Sequence, residues 1–405
     1  MRPRRLLPAL MSAVVLAGCG SGFDDEPEQT DELTVMIGSS GEAETAAVEA
    51  AVQRWSEESG ISVEVIPAQD LNQQLGQGFA GGNPPDIFYL GPDRFRQYAE
   101  GGSLYPYGDQ ITDYEDFYPA LRDSYTYDGE LYCVPKDFGT HALVINVDMW
   151  EAAGLTEDDI PTTWEELTEV ATRLTNEDHI GLAFTGDYNP VGTFMLAGGG
   201  WFLNEDNTAV TADTPENLAT LEYLNTNIQA GIFAFATSID TGWGGEAFGT
   251  GAAAMTVEGP WIIGALNNDF PDINWRVVEM PAGPGGQGTT VFSNCWGIAA
   301  NSGNHEAAVD LVDHLVSPEE QQAFAEAFGA LPSRSSLESW VASEFPEQAA
   351  FSAGVRYARG PVPVVGFDSV LADFNTGLEA MVAGGATPQE VLAQLQRNGE
   401  EVLTQ

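Results

Sequence analysis

The stretch Leu33–Val65, LTVMIGSSGEAETAAVEAAVQRWSEESGISVEV, decides the fold class. Leu33, Val35 and Ile37 alternate as a strand does, Val48, Ala51, Val52 and Trp55 recur at helical spacing until Gly60, and Ile61, Val63 and Val65 alternate again. Strand, helix and strand in that order make a βαβ unit. Outward from it, a helix around Leu71 to Phe79, a strand Asp86–Leu90 and a helix beginning near Asp93 continue the pattern of a parallel sheet covered by helices. In open sheets of this kind ligands sit beyond the carboxyl ends of the strands, here the loops Gly38–Glu42 and Gly91–Asp93.

The second half repeats the alternation. Thr163 and Glu166 are spaced as a capping box ahead of Trp164, Leu167, Val170 and Leu174 on one helix face. Pro215 opens another helix, with Leu218, Leu221 and Leu224 every third residue and Gly231 as its stop. Helices are predicted from His305 to Val316 and, after Ser317, on to Phe328, and the last starts at Pro388. A chain of 405 residues exceeds the size at which one core stops growing, so two lobes of roughly 150 to 200 residues are expected.

Composition narrows the function. The formal net charge is −47, from 61 Asp and Glu against 14 Lys and Arg, and a surface that negative repels polyphosphate and anionic lipid. Nucleic acid is therefore excluded as a partner. With 43% hydrophobic residues the chain has a core to fold around. Thirteen of the fourteen basic residues are Arg, and the single Lys is Lys136.

Residues 1–18 read as a signal peptide: Arg2, Arg4 and Arg5 precede the apolar run Leu6–Ala17, too short to span a bilayer as a helix. Leu16-Ala17-Gly18-Cys19 resembles a lipobox, so Cys19 is the expected lipid anchor and the only means of membrane attachment. Residues 19–32 read as an acidic tether. The other two cysteines, Cys133 and Cys295, are either bridged in an oxidising compartment or separately buried.

Signs of catalysis are scarce. Gly-x-Ser-x-Gly, His-Glu-x-x-His and Gly-x-x-x-x-Gly-Lys are all absent, and His305 and His314 are nine apart, which reads as two exposed helix residues rather than metal ligands. No catalytic residue, metal or cofactor is expected. The tryptophans carry more, because Trp243, Trp261 and Trp296 are expected in loops rather than on apolar helix faces, and from a loop a flat indole can face a pyranose ring. Trp55, Trp164 and Trp340 read as core residues.

Residues 33 to about 335 resemble the extracellular solute-binding proteins of ABC importers, of the maltose-binding, carbohydrate type. The blocks that carry the resemblance occur in order: Pro85–Leu90, Val134–Phe138 with Ala142–Asn146, Ala153–Leu155 with Pro161–Leu167, Phe248–Gly251 with Ala253–Met255 and Glu258–Trp261, Trp296–Ala299, and Leu331–Arg334. The resemblance implies a type II periplasmic-binding-protein fold: two α/β domains, three hinge crossings near 137–142, 289–295 and 330–335, and a ligand cleft between the lobes. It divides the chain into 33–139 plus 290–332 and 140–289 plus 333–405. Both cysteines then fall beside hinge strands, which favours the bridge.

By position, the resemblance implies Glu42, Tyr89, Asp93, Asp137 and Lys136 as polar ligand contacts, and Trp261 with Gly259, Trp296, Trp243 and Arg356 as the rest of the site. Arg334 reads instead as a hinge salt bridge. The implied protein is a monomeric receptor on the extracytoplasmic face of the cell membrane that passes a sugar to ABC permease subunits. A secreted carbohydrate-active enzyme, or a binder of polyamine, peptide or phosphodiester, is the competing reading.

Overall fold

The computed structural model describes residues 32–404; the leader, Cys19 and the tether up to residue 31 lie outside the described residues. The opening βαβ forms as its pattern dictates. Strand β1 (Glu32–Ile37) runs parallel to β2 (Ser62–Pro67), and the helix Glu42–Ser59 between them turns Glu44, Val48, Ala51, Val52 and Trp55 inward. That helix ends where Gly60 takes φ 75°, a left-handed conformation that favours a residue with no Cβ. Strand β3 (Ile87–Leu90) joins β1 in parallel.

The first sheet is completed by β4 (Cys133–Pro135) and by the much later β12 (Cys295–Ile298), giving the order β2-β1-β3-β12-β4. The second lobe is built on β6 (Ala142–Asn146), β7 (Ile180–Phe184), β8 (Phe233–Phe235), β9 (Ala253–Glu258) and β10 (Trp275–Val278), ordered β8-β7-β9-β6-β10. Its core gathers Leu143, Phe184, Phe194, Phe202 and Met255 with Phe367, Phe374 and Leu392 of the last two helices. The expected capping box is present, with the Thr163 and Glu166 side chains each bonding the other's backbone.

A third, small sheet ties the lobes. Its strands are β5 (Asp137–Thr140), β11 (Thr289–Phe292), β13 (Leu331–Pro332) and β14 (Ala358–Arg359), ordered β13-β5-β11-β14. The chain passes from β4 through β5 to β6, returns through β11 to β12, and leaves again after β13. Three crossings therefore lie side by side, and they are pinned to each other. The Lys136 N–H donates to Asn294 O at 2.9 Å. The Ser293 hydroxyl donates to Asp137 O, and that of Ser333 to Pro135 O, each at 2.7 Å.

Arg334 is buried and donates to the carbonyls of Val316 (2.6 Å), Thr112 (2.8 Å) and Asp113 (3.1 Å), with its guanidinium 4.5 Å above the Phe117 ring. It clamps the third crossing to the first lobe. Cys133 and Cys295 are joined, Cα atoms 5.5 Å apart, so a bridge links the two neighbouring strands that feed the first two crossings. The expectation of two exposed histidines needs correcting. His305 stacks on Tyr105 at 4.1 Å, and His314 Nε2 lies 3.1 Å from Ala51 O; both are half-buried against the first lobe.

Candidate functional site

A cavity of about 850 Å³ opens where the crossings meet both lobes. The first lobe lines it with Gly38 and Ser40 from the loop after β1, with Glu44, and with Phe328. The crossings contribute Lys136, Asp137, Phe292 and Asn294, and the second lobe adds the helix Trp261–Asp269.

Trp261 forms one wall. It is 47% exposed, and among the described residues only Val365 is a comparably exposed large apolar side chain. Its orientation is fixed from several sides. The indole N–H donates to Glu258 Oε2 at 2.8 Å. Phe292 and His141 meet the ring edge to face, with centroids at 5.3 and 5.9 Å. Gly259 lies underneath, where a Cβ would stand 2.1 Å from the ring. Burial drives the His141 pKa down to about 3, so its ring is neutral, with Nδ1 at 2.8 Å from Thr290 Oγ1 and 3.1 Å from Thr193 Oγ1.

The opposite wall is a buried ion cluster. Lys136 Nζ lies 3.0 Å from Glu44 Oε1, contacts Asp137 closely, and sits 4.6 Å from the centroid of the Tyr89 ring. Glu44 also accepts from the Ser40 N–H and hydroxyl, each at 2.7 Å, and from the Tyr89 hydroxyl at 3.1 Å. Burial opposes the charge on Glu44, but Lys136 and Ser40 outweigh it and hold the carboxyl below its usual range. Burial likewise opposes the charge on Lys136, and the carboxylates of Asp137 and Glu44 prevail and raise its pKa.

The sequence-derived residues therefore divide. Asp137, Lys136 and Trp261 line the cavity, and Gly259 underlies Trp261. Glu42 is exposed and does not line it; Glu44, two residues on, does. Trp296 is corrected from a stacking surface to a core residue, since β12 turns its side chain inward, 1% exposed and edge-on to Tyr89 at 4.6 Å. Tyr89 is buried too and reaches the site only through its bond to Glu44.

Trp243 caps the helix Gly244–Gly249, half-buried against Gly245, and does not line the cavity. Arg356 pairs with Glu338 away from it. Asp93 lies at a different junction of the lobes. Burial raises its pKa, Arg94 lowers it, and Asp368 from the other lobe raises it further; the charges of Asp187, Asp368 and Asp93 all act on Tyr188. Sequence reasoning missed Glu44, Glu258, Phe292, Asn294 and Phe328.

A planar ring 47% open to the cavity, opposite fixed carboxylate, ammonium and amide groups, can hold a flat-faced polyol by stacking plus charged hydrogen bonds. Residues 50–353 match the family model for bacterial extracellular solute-binding proteins. Among curated proteins, the chain is 27% identical over 225 residues to a maltotriose-binding protein of Pyrococcus abyssi, a match covering 54% of this chain and 47% of that protein. It is 24% identical over 369 residues to the diacetylchitobiose binding protein of Streptomyces coelicolor, covering 83% of each. Among solved structures, the cyclic alpha-maltosyl-1,6-maltose binding protein of Arthrobacter globiformis superposes with a TM-score of 0.80 at 24% identity, covering 92% of this chain and 98% of that one. The likeness to that structure is one of fold: two sheet-bearing lobes of the type II periplasmic-binding-protein class.

Proposed function

This chain belongs to the bacterial extracellular solute-binding protein family, and from that premise we propose that it captures an oligosaccharide in the cleft and delivers it to an ABC permease. The observation that carries the reading is Trp261: an indole fixed by Glu258, Gly259 and Phe292, yet open to an 850 Å³ cavity at the lobe crossings. That volume is near the upper end of the roughly 300 to 1,000 Å³ typical of small-molecule sites. The names of relatives that bind maltotriose and diacetylchitobiose support the same ligand class.

In this reading the protein is a monomer that binds and does no chemistry. A lipid on Cys19 holds it at the extracytoplasmic face of the membrane, and lobes 33–139 plus 290–332 and 140–289 plus 333–405 close over the sugar by hinge bending. Glu44, Asp137 and Lys136 supply hydrogen bonds to hydroxyls, and Trp261 supplies the apolar contact.

Titration calorimetry with maltotriose, maltotetraose, lactose and diacetylchitobiose tests it. At least one sugar should bind stoichiometrically, and Trp261→Ala should weaken that sugar by about 10-fold or more, the loss typical of a well-packed aromatic anchor. Turnover of the glycans, or unchanged affinity in the variant, would overturn the assignment.

A further inference from the structure

Glu258 is 4% exposed, ends strand β9, and is used by nothing described so far except the bond to Trp261. Its Oε1 makes no well-formed hydrogen bond, although the Gly245 N–H and the Thr185 hydroxyl approach the carboxylate, and Thr256 Oγ1 on the same strand has no partner. Both atoms lie against the bare Cα of Gly244, at 2.7 and 2.6 Å from where a Cβ would sit. The charged neighbour it faces is Asp187, another acid at the cap of the helix Tyr188–Ala197.

We propose that Glu258 is the positioning residue of the cleft, its carboxylate holding the Trp261 indole toward the ligand, so that sugar affinity follows the charge on Glu258. The inference rests on Trp261 being the stacking wall. In the ionised state the indole N–H meets a charged acceptor, a bond roughly twice as strong as a neutral one. On protonation the proton goes to Oε1, the less engaged oxygen, and Oε2 is left a neutral acceptor. A half-exposed indole on a weaker tether spends less time in the stacking orientation, and binding weakens.

The change falls in an accessible range. Burial pushes the Glu258 pKa up to about 7, Asp187 adds to the rise, and the Trp261 N–H, the Gly245 N–H and the Thr185 hydroxyl offset part of it. His141, the other titratable group beside Trp261, stays neutral throughout. Lobe closure strips water from the cleft and would by itself favour the protonated acid. Glu258 has almost no water left to lose, so the tether decides the sign.

Two measurements test this. Calorimetry with whichever of maltotriose, maltotetraose, lactose or diacetylchitobiose binds should give about 5-fold tighter binding at pH 8.5 than at pH 5.5. Glu258→Gln, whose amide oxygen is a neutral acceptor, should hold the acid-side affinity at both. It should fold, because it removes an acid whose raised pKa costs stability as pH rises past its unfolded value. Equal affinity at both pH values in the wild type overturns the inference while leaving the sugar-binding reading intact.

If none of these sugars binds, that reading fails on its own. The tether is still tested by the fluorescence difference between wild type and Trp261→Phe. It should titrate near pH 7, and the corresponding difference between Glu258→Gln and the Trp261→Phe/Glu258→Gln double variant should be flat. A wild-type difference signal flat from pH 5.5 to 8.5 overturns the tether.

Discussion

Lys136 is the one lysine of the chain, and it stands between two acids that would otherwise face each other inside the protein. Removing one partner of a buried ion cluster leaves the rest uncompensated, which typically costs about 3 kcal/mol or more. Lys136→Met should lose about that much stability at pH 7. The loss should shrink on acidification: Glu44 is held below its usual range in the wild type, so its stabilisation is present at neutral pH and disappears as pH falls through the depressed value. In the variant, the carboxyl can protonate and its penalty goes away. Urea denaturation at pH 7 and pH 4 measures both, and an equal loss at the two pH values would contradict this account. Position alone pointed to Glu42 rather than Glu44. The correct residue was readable, because Glu44, Val48, Ala51 and Trp55 follow one helical stripe and all four are buried. An acid on an apolar stripe is the signal that was available. Trp261 and Trp296 differ in another way: each has a glycine within two residues, and only the strand register, Trp296 opposite Tyr89, shows which indole is turned into the core.

At the scale of elements, the tight passage from β9 into the helix Trp261–Asp269 works because Gly259 lets the indole fold back over it. A methyl group there would meet the ring at 2.1 Å, and the half-exposed ring has room to move outward rather than strain the core. Gly259→Ala should therefore weaken sugar binding by about 10-fold in calorimetry while costing under about 1 kcal/mol of stability. A loss of stability with affinity preserved would show that the ring does not depend on this approach. The strands β4 and β12 pose a separate test. Joined by Cys133–Cys295 across 162 residues, they should give no alkylatable thiol at either position until reduced, and Cys133→Ala/Cys295→Ala should lose about 2 to 4 kcal/mol. Free thiols in protein recovered from an oxidising medium would sink the bridge. These elements also mark the limit of sequence reading. The long helices announce themselves through caps and a repeated apolar face, as at Thr163 and Pro215. The tie sheet consists of strands of two to four residues, too short for any periodicity, and its partners come from positions 137, 289, 331 and 358. Only chain-distant pairing creates it, so the crossings were legible through resemblance and not through pattern.

The molecule as a whole carries −47 formal charges, and the cleft shares that sign. At the crossings, Lys136 is matched by both Glu44 and Asp137, which leaves one negative charge in excess before Glu258 is counted. At the other junction, Asp93, Asp187 and Asp368 are close enough to act together on Tyr188. An anionic sugar would bring its charge toward these groups as closing lobes exclude water, where a pair about 6 Å apart at an effective dielectric near 20 repels by roughly 2 to 3 kcal/mol. A neutral sugar meets the same carboxylates as hydrogen-bond acceptors and gains from them. The protein should therefore bind a neutral oligosaccharide at least about 10-fold more tightly than the analogue in which one hexose is a hexuronic acid. Salt should narrow that gap only in part, because screening acts on the exposed charges and little on the buried ones. Competition calorimetry at 0.1 M and 1 M NaCl reads both effects. Equal affinity for the uronate at low salt would mean that the excess carboxylates point away from the ligand, and that the acidity belongs to the outer surface of the lobes alone.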